Sequence, residues 1–165
     1  MIHSVLVVVR STEAILLSRF YDGVERSSAL VQAQWIQAVR DATITRWALA
    51  HEGGGEQVCM CQDKFVLFSG TGNLLFFVSG SDEYDELALL DVVQSLLDCL
   101  RGALLAKASD ALTETLITEH YHVACLVLDE MINQGVLEHT EPQVVRKFLK
   151  LKLKKDDLDK PFGLH

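Results

Sequence analysis

The sequence predicts an α+β domain in which helices cover an antiparallel sheet. Short runs rich in Val, Leu and Phe, separated by tight turns, occupy residues 2–21 and 57–79. Segments with helical apolar periodicity follow each of them. The resulting order of strand, strand, helix, strand, strand, strand, helix, helix requires hairpins and a meander, and the helices have a sheet face to cover. At 165 residues the chain is the size of one domain and can bury a single sizeable core.

Ile2 to Val9 is short, Val-rich and closed by the turn Arg10-Ser11-Thr12-Glu13, so it reads as a buried strand. Ala14 to Tyr21 runs back beside it, and Asp22-Gly23 ends the hairpin unit. Ser27 or Ser28 is placed to cap a helix, because a hydroxyl can accept one of the free N–H groups of the first turn. In that helix Val31, Trp35, Ala38, Val39 and Ala42 make one apolar stripe. The register is lost between Thr43 and Ala50, and Gly53-Gly54-Gly55 marks a surface loop.

Gln57 to Cys61, Lys64 to Ser69 and Leu74 to Ser79 are three strands. Their connections, Gln62-Asp63 and Gly70-Thr71-Gly72-Asn73, are too short for anything but antiparallel neighbours. Ser81 or Asp82 is expected to cap a long helix reaching to about Ser109. Its first turn carries Asp82, Glu83, Asp85 and Glu86, where carboxylates favour the positive end of the helix dipole. Leu89, Val92, Val93, Leu96, Leu100 and Leu104 form its apolar face. A third helix is expected from Leu112 to Gln134, with Leu116, Ile117, Tyr121, Ala124, Val127, Leu128 and Met131 inward and Gly135 as its C-terminal cap. Pro142 suits the first position of a final short helix that buries Val144, Val145, Phe148 and Leu149. Residues 1–152 thus read as one domain, and residues 153–165 as a charged, flexible tail whose end, beyond Lys155, is expected to fray.

Nearly half the residues are apolar (49%), and the mean hydropathy is +0.19, which is greasy for a domain of this size and leaves surface to meet a partner. No apolar run approaches the ~20 residues of a membrane-spanning helix, and the start lacks the basic region and cleavage site of a secretory signal. Cytosolic residence is expected, with Cys59, Cys61, Cys99 and Cys125 as free thiols. The net charge of -8 is unevenly spread. Residues 146–155 hold six Lys/Arg and no acid, leaving 9 basic against 23 acidic residues elsewhere, a net of -14. A nucleic-acid binder would need the opposite body charge.

Motifs for chemistry are weak. Cys59 and Cys61 share one strand face, but a closed metal site needs two more ligands, and none is paired nearby. His120 and His122, two apart on a helix, point in different directions. The glycine runs lack a following Lys-Ser/Thr, and Glu52 and Glu56 beside the first would repel phosphate. The spacing of Asp82 to Glu86 does not suit a calcium loop. No catalytic residue, metal ligand or cofactor site is assigned. The basic segment is the most distinctive charge feature, and cations of this kind can be drawn to anionic lipid.

Two stretches resemble a known family. Val78-Ser79-Gly80-Ser81-Asp82-Glu83-Tyr84-Asp85-Glu86-Leu87-Ala88-Leu89 stands at the step from the last strand into the long helix. Leu128-Asp129-Glu130-Met131, followed by Gly135-Val136-Leu137-Glu138-His139-Thr140, is similar to the Asp-Glu, Gly and Glu-Thr pattern of sigma and zeta chains. A weaker third, Glu141-Pro142-Gln143-Val144-Val145, is similar to coatomer zeta. Together they resemble the small, sigma-like subunits of adaptor and coatomer complexes, most closely those of the TSET/TPLATE type, over residues 1–152. The resemblance implies a longin fold, with a five-stranded antiparallel sheet between one helix and two. It also implies a non-enzymatic role without cofactors, docking to a large-subunit solenoid and through it to the medium and second large subunits, in clathrin-linked endocytosis. Tyr84, Leu87, Asp129, Glu130, Arg146, Lys147, Lys150 and Lys152 are the candidate docking residues, with peripheral membrane contact through the complex and no nucleic acid. Some sigma chains read acidic dileucine signals through an Asn-Val step; here the matching stretch is Ala106-Lys107-Ala108-Ser109, and that pocket is not carried over. The alternatives are a coatomer zeta subunit, or a longin-type module for a small GTPase or a SNARE.

Overall fold

The computed structural model describes residues 1–23 and 28–156. Its sheet consists of β1 (Ile2–Val9), β2 (Ile15–Phe20), β3 (Gln57–Cys61), β4 (Lys64–Thr71) and β5 (Leu74–Gly80). They lie in the order β2-β1-β5-β4-β3, and every pairing is antiparallel. β1 pairs with β5, Val5 opposite Val78 and Val7 opposite Phe76, so the N-terminal hairpin and the later meander become one sheet. All eight residues of β1 are buried. That is why Val5 to Val9 reads as a continuous apolar run without alternation, while the buried polar residues His3 and Ser4 find partners in Ser81 and Ser79.

Side chains of successive strand residues divide the core in two. On one face Leu6, Val8, Phe68, Leu75 and Phe77 pack with Trp35 and Val39 of α1 (Ala29–Thr43) and with Trp47 of the 3-10 helix Ile44–Leu49. Ser28 caps α1, its hydroxyl accepting from the Val31 N–H at 3.3 Å. Both indole N–H groups are satisfied, that of Trp35 by Ser4 Oγ (3.0 Å) and that of Trp47 by Thr43 Oγ1 (2.9 Å). Aromatic bulk therefore enters the core without stranding a donor. This explains why register is lost on the sequence after Thr43: a tighter helix turns Trp47 inward.

On the other face Val5, Val7, Leu74, Phe76 and Val78 pack beneath α2 (Glu86–Leu104), α3 (Glu114–Glu119) and α4 (Tyr121–Met131). The short ribbon β6 (Ile132–Asn133) and β7 (Val136–Leu137) follows. Then α5 (Pro142–Asp156) lies against α2 and α4 with Val145 and Leu149 wholly buried.

Several expectations are corrected. The long helix begins at Glu86, capped by Asp85, whose carboxylate accepts from the Ala88 N–H at 3.0 Å. Asp82 instead has a left-handed backbone (φ 60°), in a turn before the helix. The helix also stops at Leu104. The third helix is broken at His120, whose ψ of 35° lies outside the helical range. This break leaves Tyr121 exposed. Gly135 caps no helix; with Gln134 (φ 49°) it occupies the turn of the β6–β7 ribbon at φ 81°, the arrangement of a two-residue hairpin loop. In α1 the buried position is Thr43 and Ala42 faces solvent. The final helix is long, and residues 153–156 continue it, while Phe148 is 38% exposed. Residues 157–165, the end of the expected tail, lie outside the described residues.

Candidate docking surface

The candidate residues do not form one patch. Tyr84 precedes α2 and turns inward: its hydroxyl accepts from the Leu137 N–H at 2.9 Å, tying the start of α2 to β7. Leu87, one turn on, is 75% exposed and the most exposed large apolar side chain among the described residues. Asp129 is half-exposed on α4 and faces Arg19 of β2 at 3.7 Å. Glu130, next to it, points the other way; it is buried and ion-paired with Lys152 of α5. That pair belongs to the packing of α5 on α4. Arg146 is half-buried, whereas Lys147 and Lys150 face solvent.

Sequence reading missed the outward apolar residues. Val58 (39% exposed) and Met60 (53% exposed) project from β3, one of the two edge strands of the sheet, and Leu151 (54% exposed) projects from α5. For α5 the signal was present, since Val144, Phe148 and Leu151 recur at i, i+4, i+7 as a second apolar stripe beside the buried one. For β3 it was not, because edge position is a property of the assembled sheet.

The sites weighed for chemistry have other roles. The N–H groups of Gly53 and Gly54 donate to the Glu56 carboxylate at 3.0 and 2.9 Å, so this loop already holds its own anion. Partial burial works against that carboxylate's charge, but backbone donors at Glu56, Gly54 and Gly53, with His51 nearby, keep it below the ordinary value. A neighbouring cavity of about 250 Å³ is lined by Glu52, Glu56, Asp98 and Arg101, with Glu52 and Arg101 ion-paired. Its lining has three carboxylates against one guanidinium. Cys59, Cys61, Cys99 and Cys125 are free thiols. Burial pushes Cys59 and Cys61 up, and burial with help from Asp98 pushes Cys99 up to about 11, so these thiols stay protonated and weakly nucleophilic. Among the described residues no three His, Cys, Asp or Glu side chains gather to hold a metal, and no helix is long and apolar enough to cross a membrane. Ala106 to Ser109 are exposed beyond the end of α2.

A five-stranded antiparallel sheet sandwiched by helices defines a longin-type α+β fold. The chain belongs to the clathrin adaptor complex small chain family, whose model matches residues 1–156. It is therefore a non-enzymatic small subunit of a vesicle adaptor complex. It is 26% identical to TSET complex member tstD of Dictyostelium discoideum over 96% of this chain and 100% of that protein. It is 32% identical to coatomer subunit zeta-2 of Arabidopsis thaliana over 54% of this chain and 48% of that one. Its fold is shared with a chain in a homology model of the full-length AP-3 complex in a stretched open conformation, with a TM-score of 0.63, 17% identity and 96% of both chains covered.

Proposed function

We propose that the chain is the small subunit of a TSET/TPLATE-type adaptor complex, docked on the solenoid of a large subunit and, through it, joined to the medium and second large subunits. The carrying observation is the end-to-end likeness to a TSET member, against coatomer zeta matches that span between half and two-thirds of this chain. The string Asp82-Glu83-Tyr84-Asp85-Glu86-Leu87-Ala88-Leu89 supports the same assignment. In this reading the subunit resides in the cytosol, is recruited to coated pits at the plasma membrane and supports clathrin-linked endocytosis.

Leu87 is the anchor of the large-subunit contact. A leucine left three-quarters exposed at a helix start gains most from a partner that removes it from water, and such anchors dominate interface energetics. Asp129 contributes at the β2 side of α4, while Tyr84, Glu130 and Lys152 serve by holding α2, α4 and α5 in place. Co-expression with the solenoid of a TSET-type large subunit should give one stoichiometric species on size exclusion. Failure to associate in mild salt removes the assignment, and capture by the gamma subunit of coatomer instead makes the chain a zeta subunit, the reading favoured by the higher identity over its matched half.

A further inference from the structure

Along α5 two stripes face away from the protein. Lys147, Lys150 and Lys154, at i, i+3, i+7, are exposed, and none pairs with a carboxylate among the described residues. Beside them run Val144, Phe148 and Leu151, the last two 38% and 54% exposed. The His139 ring stacks on Phe148 at 5.2 Å and fixes that ring against the outer side of the helix. Of the other cations on α5 whose side chains are described, Lys152 meets Glu130, and Arg146 is half-buried, its Nε out of water and without a hydrogen-bond partner.

We propose that this outward face of α5 is a peripheral contact for an anionic phospholipid surface. Three features select a membrane. The exposed cations described on this face are all lysines, compact hydrated charges suited to a diffuse headgroup layer, where a folded acidic partner is better gripped by the planar fork of arginine. They stand beside an aromatic ring and a leucine at the depth where interfacial helices seat apolar side chains. The charge of the chain outside residues 146–155 is -14, so a negative surface repels the body and attracts this helix, which sets one orientation. α5 packs against α2 and α4 on one side only, that of Val145 and Leu149, which leaves the other side available to a bilayer. The inference is independent of which large subunit the chain joins.

The test uses the full chain with vesicles of phosphatidylcholine alone or mixed with phosphatidylserine. Sedimentation is expected only with the anionic vesicles and should weaken as salt is raised. Each lysine near the surface is expected to strengthen partitioning about fivefold, so replacing Lys147→Gln, Lys150→Gln and Lys154→Gln together should weaken it about 100-fold. The thermal midpoint should be unchanged, because all three side chains are exposed. Phe148→Ser with Leu151→Ser should weaken binding severalfold while keeping its salt dependence. Equal binding to neutral and anionic vesicles, no binding at low salt, or full binding by the triple variant each overturns the proposal. So does a triple variant that loses an acidic protein partner while the parent chain ignores lipid.

Discussion

The Glu130 carboxylate, buried at the end of α4, meets the Lys152 ammonium on α5, and this ion pair joins the two helices. Removing the lysine leaves a carboxylate out of water without its counter-charge. Lys152→Ala should therefore destabilise the chain by about 1–3 kcal/mol in urea unfolding. The double change to Glu130→Gln and Lys152→Ala should recover part of that loss. Losses of Glu130→Gln and Lys152→Ala that simply add in the double variant would show that the pair is not coupled.

Gly70 on β4 is held between Ala50 and Arg10. A Cβ there would lie 2.4 Å from the Ala50 carbonyl oxygen and 2.1 Å from Arg10 Nη2. Arg10 donates to the carbonyls of Trp47 and Ala50, so the clash also breaks the bracket that holds the 3-10 helix. Gly70→Ala should cost about 2 kcal/mol or more. Thermal unfolding checks it, with a midpoint lowered by several degrees.

Tyr84 and Leu87 separate folding from docking. Tyr84→Phe leaves the Leu137 N–H without its acceptor and should lower stability by about 1–2 kcal/mol with little change in affinity for the large subunit. Leu87→Asp should leave the unfolding midpoint where it is and weaken association about tenfold or more. Unfolding curves and pull-downs on the same two variants decide whether each residue holds its assigned role.

The Glu56 carboxylate ties the Gly53-Gly54 loop only while ionised. Its acidity is raised in the folded chain, so the tether's contribution is present above the ordinary carboxylate value of 4.5 and is lost as pH falls through the lower folded value. The Gly53 and Gly54 amide proton resonances should titrate together with a midpoint below 4.5, and Glu56→Gln should abolish that titration.

Much of the fold was legible because local rules and tertiary packing agree. β1 was readable as buried because its Val5 to Val9 run has no polar side to show water. Ser28 and Pro142 marked helix starts through chemistry that acts within one turn. Errors arose where two local solutions were close in energy. Four acidic residues near Asp82 suit a helix start, yet the helix begins after Asp85, which caps it, while Asp82 is left-handed and Tyr84 accepts from the Leu137 N–H. Gly135 satisfies a positive φ as readily in a hairpin turn as at a helix end, and only the pairing of β6 with β7 selects the turn.

By itself the sequence determined the element types, the division of α from β and the family, since these follow from periodicity, turn chemistry and motifs that neighbouring residues carry. Tertiary structure alone decided which apolar and charged residues are spent inside and which stay outside. Glu130 and Lys152 neutralise each other in a seam, whereas Leu87, Met60, Phe148 and the Lys147–Lys150 ridge remain in solvent. Exposure depends on what packs across from a residue, and that is set by segments distant in the chain.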